Sequence, residues 1–261
     1  MASLTLWAMG PAAASPILLT VDPAQSNLDV TLCMTLTSTE CSTDASPVAG
    51  SVTIGLDCLT TPTSLTLYDF AFQLTQTLNH HLVFTFFGVP IGTFDSTATN
   101  VELNYATPGV PMPPTPLVVD AFAYTGVPAN AAGLFNYTTT GTVCSAFQAQ
   151  GQLCNATIDL STVPVNPIDL TGTVRVFGRD ITVVLDVNAS APLDPTNPGL
   201  GSLTMVGTVV ATGIAPPPDI ATFVGVLIGD LTAPDLVCES DMNLDGVVDG
   251  NDVAAYLAAL P

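Results

Sequence analysis

The sequence predicts a mainly-β protein: a β-sandwich or barrel over residues 16–214, then a small two-helix module over residues 219–261. Three observations support this fold class. Short runs of Val, Ile, Leu, Thr and Phe alternate with clusters of turn-forming residues throughout the first region. Residues 51–54 and 171–176 alternate strictly in hydrophobicity, as half-buried strands do. Only beyond residue 218 do two apolar segments of helical character appear.

Eleven strands are predicted in chain order, and no helix is predicted before residue 214. Val, Thr and Phe suit a pleated surface, and the intervening Gly, Pro, Asn and Asp residues favour turns. A Pro-rich stretch at 107–116 is predicted to be an extended connection, and 194–201 a turn. The predicted strands cover residues 17–22, 28–36, 50–57, 64–75, 81–88, 101–106, 117–126, 134–143, 170–178, 180–189 and 201–213.

Both ends of the β region carry distinctive segments. Residues 1–15 contain a short apolar stretch before three alanines, like the end of a signal peptide that lacks its basic start. Residues 215–218 (Ala-Pro-Pro-Pro) predict a stiff linker, because proline runs favour extended backbone. No segment after residue 15 has 18 consecutive strongly apolar residues, so no transmembrane span is predicted.

The charge balance excludes some classes of partner. The chain has 22 acidic residues against two arginines and no lysine, a formal net charge of −20. Nucleic acids and anionic membranes are poor partners, because both need basic side chains. Two interpretations stay open: the carboxylates bind divalent cations, or they keep a chain with 48 % hydrophobic residues soluble in salty or calcium-containing water.

Six cysteines indicate disulfides and an oxidising, extracellular compartment. Cys33 and Cys41 flank one polar stretch and Cys144 and Cys154 another, so each pair is predicted to close a hairpin loop. Cys58 and Cys238 would then form a long-range pair. Six cysteines allow about fifteen connectivities, so this pairing is a hypothesis.

The C-terminal region contains an internal repeat. Residues 219–228 (DIATFVGVLI) and 252–261 (DVAAYLAALP) align across a 33-residue offset, with Asp, Ala and Leu recurring identically. We expect two helices that pack through their apolar faces. Their leading residues, Asp219 and Asp252, are favoured at helix N-termini, where backbone amides are exposed.

Between the two repeats lies a calcium-loop motif. Residues 241–252 (DMNLDGVVDGND) fit the EF-hand pattern D-x-[DN]-x-[DN]-G. Calcium takes six to eight oxygen ligands, which side chains at alternate positions supply as the backbone wraps around the ion, and Gly246 permits the sharp bend. The predicted ligands are Asp241, Asn243, Asp245, the carbonyl of Val247, Asp249 and Asp252.

With Asp at the twelfth loop position, an apolar Val248 and a duplicated helix, residues 218–261 resemble the dockerin family. The resemblance implies an extracellular calcium module that joins proteins together. The first repeat lacks its loop, because prolines 216–218 stand where ligands would be, so one Ca²⁺ site is expected. Gly250 and Asn251 replace the hydroxyl residues with which many dockerins recognise cohesins, so that recognition is not expected here.

Two fragments of the β region resemble the YceI-like family. They are residues 19–26 (LTVDPAQS) and residues 172–185 (GTVRVFGRDITVVL). YceI-like proteins are lipocalin-like barrels that hold an isoprenoid, although the family's histidine is Gln25 here. The resemblance implies an alternative role in lipid binding.

No catalytic site is predicted. His80 and His81, the only histidines, are expected at a polar hairpin tip, and adjacent strand residues face opposite sides and do not chelate one metal easily. Hydrolase chemistry needs a nucleophile, a base and an orienting group, and the chain has no other histidine and no lysine to recruit. The sequence predicts a protein that is not an enzyme.

Together these features predict a secreted, calcium-binding structural or adhesive protein of the cell surface or extracellular matrix. Low charge and high apolar content favour self-assembly into a homo-oligomer or a fibre. Another cell-surface protein or a glycan is the other predicted partner. The alternative function is a lipid- or glycan-binding extracellular β-module.

Overall fold

The computed structural model describes residues 15–36, 38–193 and 201–260. Apart from Ser15, the predicted signal-peptide remnant lies outside the described residues, and so does the predicted turn at 194–201 apart from Gly201. Over the described ranges, every helix is too short or too polar to cross a membrane.

The described residues form thirteen strands, four α-helices and one 3₁₀ turn at Leu160–Thr162. The strands are β1 (Ile17–Val21), β2 (Asn27–Thr35), β3 (Thr39–Leu56), β4 (Ser64–Leu74), β5 (Leu78–Phe86), β6 (Val89–Tyr105), β7 (Thr115–Pro116), β8 (Ala121–Val127), β9 (Ala129–Thr139), β10 (Asn155–Asp159), β11 (Ile168–Phe177), β12 (Asp180–Pro192) and β13 (Gly201–Ile214). The helices are α1 (Gly141–Ala149), α2 (Ile220–Leu227), α3 (Pro234–Ser240) and α4 (Asp252–Ala259).

All thirteen strands belong to one antiparallel sheet with the order β10-β9-β6-β4-β3-β1-β13-β12-β11-β8. Strands β1 and β2 both lie between β3 and β13, and they pair with different stretches of these two long strands. Strand β5 pairs with β6, and the short β7 pairs with β4. The mainly-β class is confirmed, and hydrogen bonds connect all thirteen strands into this one sheet.

The sheet curls back on itself where β8 meets the start of β4. The hydroxyl of Tyr124 on β8 donates to the Leu65 carbonyl at 2.6 Å and accepts from the Leu67 amide at 3.0 Å. Thr115 of β7 donates to the carbonyl of Ala123 at 3.1 Å, so β7 bridges the same gap. These contacts join strands that lie far apart in the sheet order. A sheet curled around one core fits the sandwich-or-barrel prediction.

The core consists of the inward-facing residues of the alternating strands. Strand β1 alternates strictly between buried and exposed residues, and most other strands alternate over part of their length. The aromatic rings stack within this core, with centroids 5.0 Å apart for Phe70 and Phe72 and 5.4 Å apart for Phe94 and Tyr137. A single hydrophobic cluster therefore holds the β region together.

The prediction that no helix precedes residue 214 is wrong. Helix α1 follows directly on β9, where a strand was predicted to continue to residue 143. Gly141 begins the helix with a left-handed φ of 58°, and Val143 and Phe147, four residues apart, are buried in the core. Thr, Val and Cys in this segment favour strands, which hid the helical spacing.

Several strand segments were not predicted. Strand β6 begins at Val89, twelve residues before the predicted strand, and β9 begins at Ala129, five residues before it. Strand β3 begins at Thr39, eleven residues before the predicted strand, because its first half is rich in Ser, Thr and Asp. Strand β10 (NATID) is short and polar, and β7 lies at the end of the Pro-rich connection.

The three hypothesised disulfides are all present. Cys33–Cys41 links β2 to β3 across their hairpin, as expected. Cys144–Cys154 joins α1 to the residue before β10, so the prediction of a hairpin there is wrong. Cys58–Cys238 connects the β region to α3 across 180 residues of sequence. Three disulfides fit a secreted or extracellular protein.

The two histidines lie at the start of β5 and not at a hairpin tip, which corrects that prediction. The tip is formed by Phe87 and Gly88. The expectation that they face opposite sides is confirmed, because His80 is 3 % exposed and His81 lies at the surface. His81 Nδ1 lies 2.5 Å from Asp95 Oδ1.

Candidate metal centre in the C-terminal loop

The loop of residues 241–252 is shaped by side chains that bind their own backbone. The Asn243 side-chain oxygen accepts from the Asp245 amide at 3.0 Å, and Asp245 Oδ1 accepts from the Val247 amide at 2.9 Å. Asp249 repeats the pattern with the Asn251 amide at 2.7 Å. Each of these contacts turns the chain within two residues. The loop therefore winds tightly before α4 begins.

Two positive φ angles complete the winding. Gly246 has a φ of 90°, which agrees with the sharp bend predicted there, and Leu244 has a φ of 62°. A leucine in this region is unusual and costs about 1–2 kcal/mol. The surrounding hydrogen bonds hold this conformation in place.

The first and last predicted ligands are buried and tie the two ends of the loop together. Asp241 is 4 % exposed, and its carboxylate accepts from the Asp245 amide at 3.1 Å and the Gly246 amide at 2.8 Å. Asp252 is fully buried and accepts from the amides of Met242, Asn243 and Asp249 at 2.7, 3.0 and 2.8 Å. Both carboxylates thus point into the loop.

The remaining predicted ligands lie along the same loop. The Asn243 amide nitrogen donates to Asp245 Oδ2 at 2.9 Å. The Asn251 amide nitrogen donates to Asp249 Oδ2 at 3.2 Å. Val247, whose carbonyl is its predicted ligand, is 59 % exposed. The six positions are close in the chain, but no three His, Cys, Asp or Glu side chains among the described residues converge as a preformed metal site.

The loop is strongly acidic and has no basic side chain to balance it. Across the described residues, the single ion pair within 4 Å is His81 with Asp95, and neither residue belongs to the loop. Arg179 does hydrogen-bond to the loop, but it donates to the Met242 sulfur at 3.2 Å and not to a carboxylate. Buried charges are normally paired or coordinate a metal.

The two duplicated helices pack as the repeat predicts. Phe223 of α2 and Tyr256 of α4, at equivalent repeat positions, stack with centroids 4.1 Å apart and ring planes 5° apart. Met242 of the loop joins them in a small core. Both repeat segments are helical and contact each other through this aromatic pair, while the further helix α3 between them was not predicted.

The two aspartates at equivalent positions of the repeat, Asp219 and Asp252, have different roles. Asp219 caps α2, accepting from the amides of Ala221 at 2.9 Å and Thr222 at 3.0 Å. The Thr222 hydroxyl and these amides lower the pKa of Asp219. Asp252 is the first residue of α4 and closes the loop instead.

Arg179, at the β11–β12 turn, anchors the C-terminal region to the β region. Its Nε donates to the Ala215 carbonyl at 2.9 Å and its Nη2 to the Pro216 carbonyl. The Ala215 amide in turn donates to the Arg179 carbonyl at 2.9 Å. Burial lowers the pKa of Arg179, opposed by the Glu239 carboxylate. With the Cys58–Cys238 disulfide, these contacts attach the start of the predicted linker and helix α3 to the β region.

Sequence reasoning missed Arg179 and Met242. Arg179 is one of only two basic residues, and that rarity was the available signal. Met242 occupies a loop position that the calcium motif leaves open, so the motif gave no indication of its role.

No family model matches this chain, and no curated protein or solved structure is significantly similar to it. The dockerin-like and YceI-like resemblances therefore stay predictions from the sequence.

Proposed function

We propose that this is a secreted, non-catalytic structural or adhesive protein of the cell surface or extracellular matrix, whose dockerin-like C-terminal module binds one Ca²⁺. The observation that carries the proposal is the pair of buried carboxylates, Asp241 and Asp252, that face into one loop without a basic partner.

The loop offers the ligands that calcium prefers. Its donors are carboxylate, amide and carbonyl oxygens, and Ca²⁺ binds such oxygens at about 2.3–2.6 Å. To bind the ion, Asp245 Oδ2 and Asp249 Oδ2 must give up the hydrogen bonds that they accept from the side-chain amides of Asn243 and Asn251. These amides are at the surface, so the exchange needs only side-chain rotation.

Calcium would hold the module closed. The small core of Phe223, Met242 and Tyr256 buries little apolar surface, and four carboxylates in twelve residues repel one another. An ion that neutralises them contributes its binding free energy to folding. Because Cys238 and Arg179 attach the module to the β region, a closed module is a rigid extension of that region.

Composition favours self-assembly as the role of this protein. Several large apolar residues are exposed, among them Phe87 at 92 % and Phe177 at 87 %. Exposed apolar patches on an extracellular protein are favoured sites of association. The lipid-binding alternative gains nothing from the apolar cavity between β6 and β12, whose volume of about 70 Å³ is well below the roughly 300 Å³ of ordinary ligand sites.

The proposal is tested with the full chain in calcium and in a chelator. We expect proteolysis of residues 219–260 to be slow in calcium and rapid after chelation, and electron microscopy to show assemblies in calcium. Equal protection of these residues in both conditions would overturn the calcium clamp. Uniform monomers in both conditions would overturn the assembly role.

A further inference from the structure

The β5–β6 hairpin ends in an exposed apolar tip formed by Phe86, Phe87 and Val89. Their exposed fractions are 54 %, 92 % and 63 %. The two phenylalanine rings contact each other edge to face, with centroids 4.4 Å apart. The tip is thus an apolar protrusion that the described residues leave in water.

The backbone at the tip disfavours the residue that occupies it. Phe86 pairs with Val89, and the two residues between them, Phe87 and Gly88, have φ angles of 49° and 79°. Such two-residue turns strongly prefer Asn-Gly, because both positions need a positive φ. A phenylalanine there strains the backbone and gains almost no burial in return. A residue that is unfavourable for its own turn and is hardly buried within the fold indicates a role in binding another molecule.

An apolar groove lies beside the protrusion, and we call it the tip groove. It has a volume of about 270 Å³, and its lining includes Leu36, Phe86, Ile91 and Ala146. Because Phe87 is 92 % exposed, it does not fill the groove of its own chain. A protrusion and a groove side by side on one surface are self-complementary: a twofold axis lets each copy fill the groove of the other.

Charge favours a second copy at this end of the molecule. Two chains of net charge −20 repel each other over most of their surfaces. The segments that build the tip and groove, residues 82–94 and 139–153, contain no Asp, Glu, Lys or Arg. Asp95 lies six residues after Val89 of the tip and four after Ile91 of the groove along β6, roughly 20 Å and 14 Å at about 3.4 Å per residue, and both separations exceed the Debye length. Glu40, the second residue of β3, is the carboxylate nearest in sequence to the adjoining β2–β3 turn, and it accepts from the Ser38 hydroxyl at 2.7 Å.

We infer that this end is an interface between two copies, with Phe87 of each seated in the tip groove of the other. The inference rests on the proposed self-assembly and names the surface that carries it. It does not depend on the calcium loop, which lies on a different part of the chain. A reciprocal contact closes into a dimer, so a fibre would need a second contact elsewhere.

Sedimentation of the full chain over a concentration series tests the interface. We expect a dimer whose dissociation constant rises at least tenfold in Phe87→Asn, while the thermal midpoint of the variant stays equal or rises because Asn suits the turn. The matched control is Phe177→Asn, an equally exposed phenylalanine at the β11–β12 hairpin, which should dimerise like the wild type.

Three outcomes would overturn the inference. They are a monomeric wild type at every concentration, equal dimerisation of Phe87→Asn, and a dimer that exists in calcium but not in chelator, which would place the interface in the C-terminal module. In the first case, flotation of the monomer with neutral phosphatidylcholine vesicles would in addition assign the tip to membranes. A dimer that persists in chelator while proteolysis of residues 219–260 accelerates supports both the interface and the calcium clamp. If the dimer persists but that proteolysis does not change, only the clamp fails.

Discussion

Replacing Asp252 with Asn perturbs the closure of the calcium loop at a single atom. The wild-type carboxylate accepts three backbone hydrogen bonds, from Met242, Asn243 and Asp249. Asn keeps one acceptor oxygen, so at least one of these bonds is lost and the others no longer reach a charged group. Bonds to charged groups contribute about 1.5–3 kcal/mol each, which gives a total loss of about 3 kcal/mol.

That loss predicts the effect on ion binding. If Ca²⁺ binds only the closed loop, about 3 kcal/mol corresponds to a roughly hundredfold weaker Ca²⁺ affinity. Isothermal titration calorimetry measures the affinity, and proteolysis of residues 219–260 measures the closure. The matched control is Asp219→Asn at the equivalent repeat position, which caps α2 and makes no loop contact. Wild-type affinity in Asp252→Asn, or an equal loss in Asp219→Asn, would refute the reasoning.

Three further predictions concern the fold. Burial lowers the pKa of His80, so stability is complete above about pH 6.5 and is lost as the pH falls through the folded-state pKa; thermal scans should show this loss in His81→Gln but not in His80→Gln. Tyr124→Phe leaves two buried backbone groups unpaired and should lower the free energy of unfolding by about 2 kcal/mol in urea titrations. Replacing Cys58 and Cys238 by Ser opens a loop of 180 residues and should cost about 5 kcal/mol in the same assay.

Each of these has a contradicting result. Parallel pH profiles for the two histidine variants would show that His80 does not titrate on unfolding. An unchanged urea midpoint in Tyr124→Phe would show that the β4–β8 contact is not part of the closed sheet. For the disulfide, the eight-residue loop of Cys33–Cys41 gives the comparison, because its removal should cost about half as much. Equal costs would contradict the loop-entropy argument.

Alternation and spacing predicted much of the fold. Runs of Val, Ile, Leu, Thr and Phe bounded by turn residues located β1, β4, β11 and β12 to within a few residues, because one face of each strand packs on the core. Two disulfides followed from cysteines that flank polar stretches, and Cys58–Cys238 was the pair that remained. Strand order and closure were not predictable, since Tyr124 contacts residues nearly sixty positions away.

The errors arose where local preference and tertiary context conflict. Helix α1 has strand-favouring residues and forms because Val143 and Phe147 bury together. The first half of β3 is polar but pairs with β2 along its length. In the candidate site, the motif specified which residues form the loop, but the anchoring role of Arg179 depends on where the β11–β12 turn lies in space.

The most direct test of the central claim is the stoichiometry of Ca²⁺ binding to the full chain, measured by calorimetry after chelator treatment. We predict one ion per chain, because only residues 241–252 keep a complete loop and prolines 216–218 replace the other. Mg²⁺ at the same concentration should not substitute, since it demands a stricter octahedral geometry. No heat of binding up to millimolar Ca²⁺, or two equivalent sites, would contradict the account.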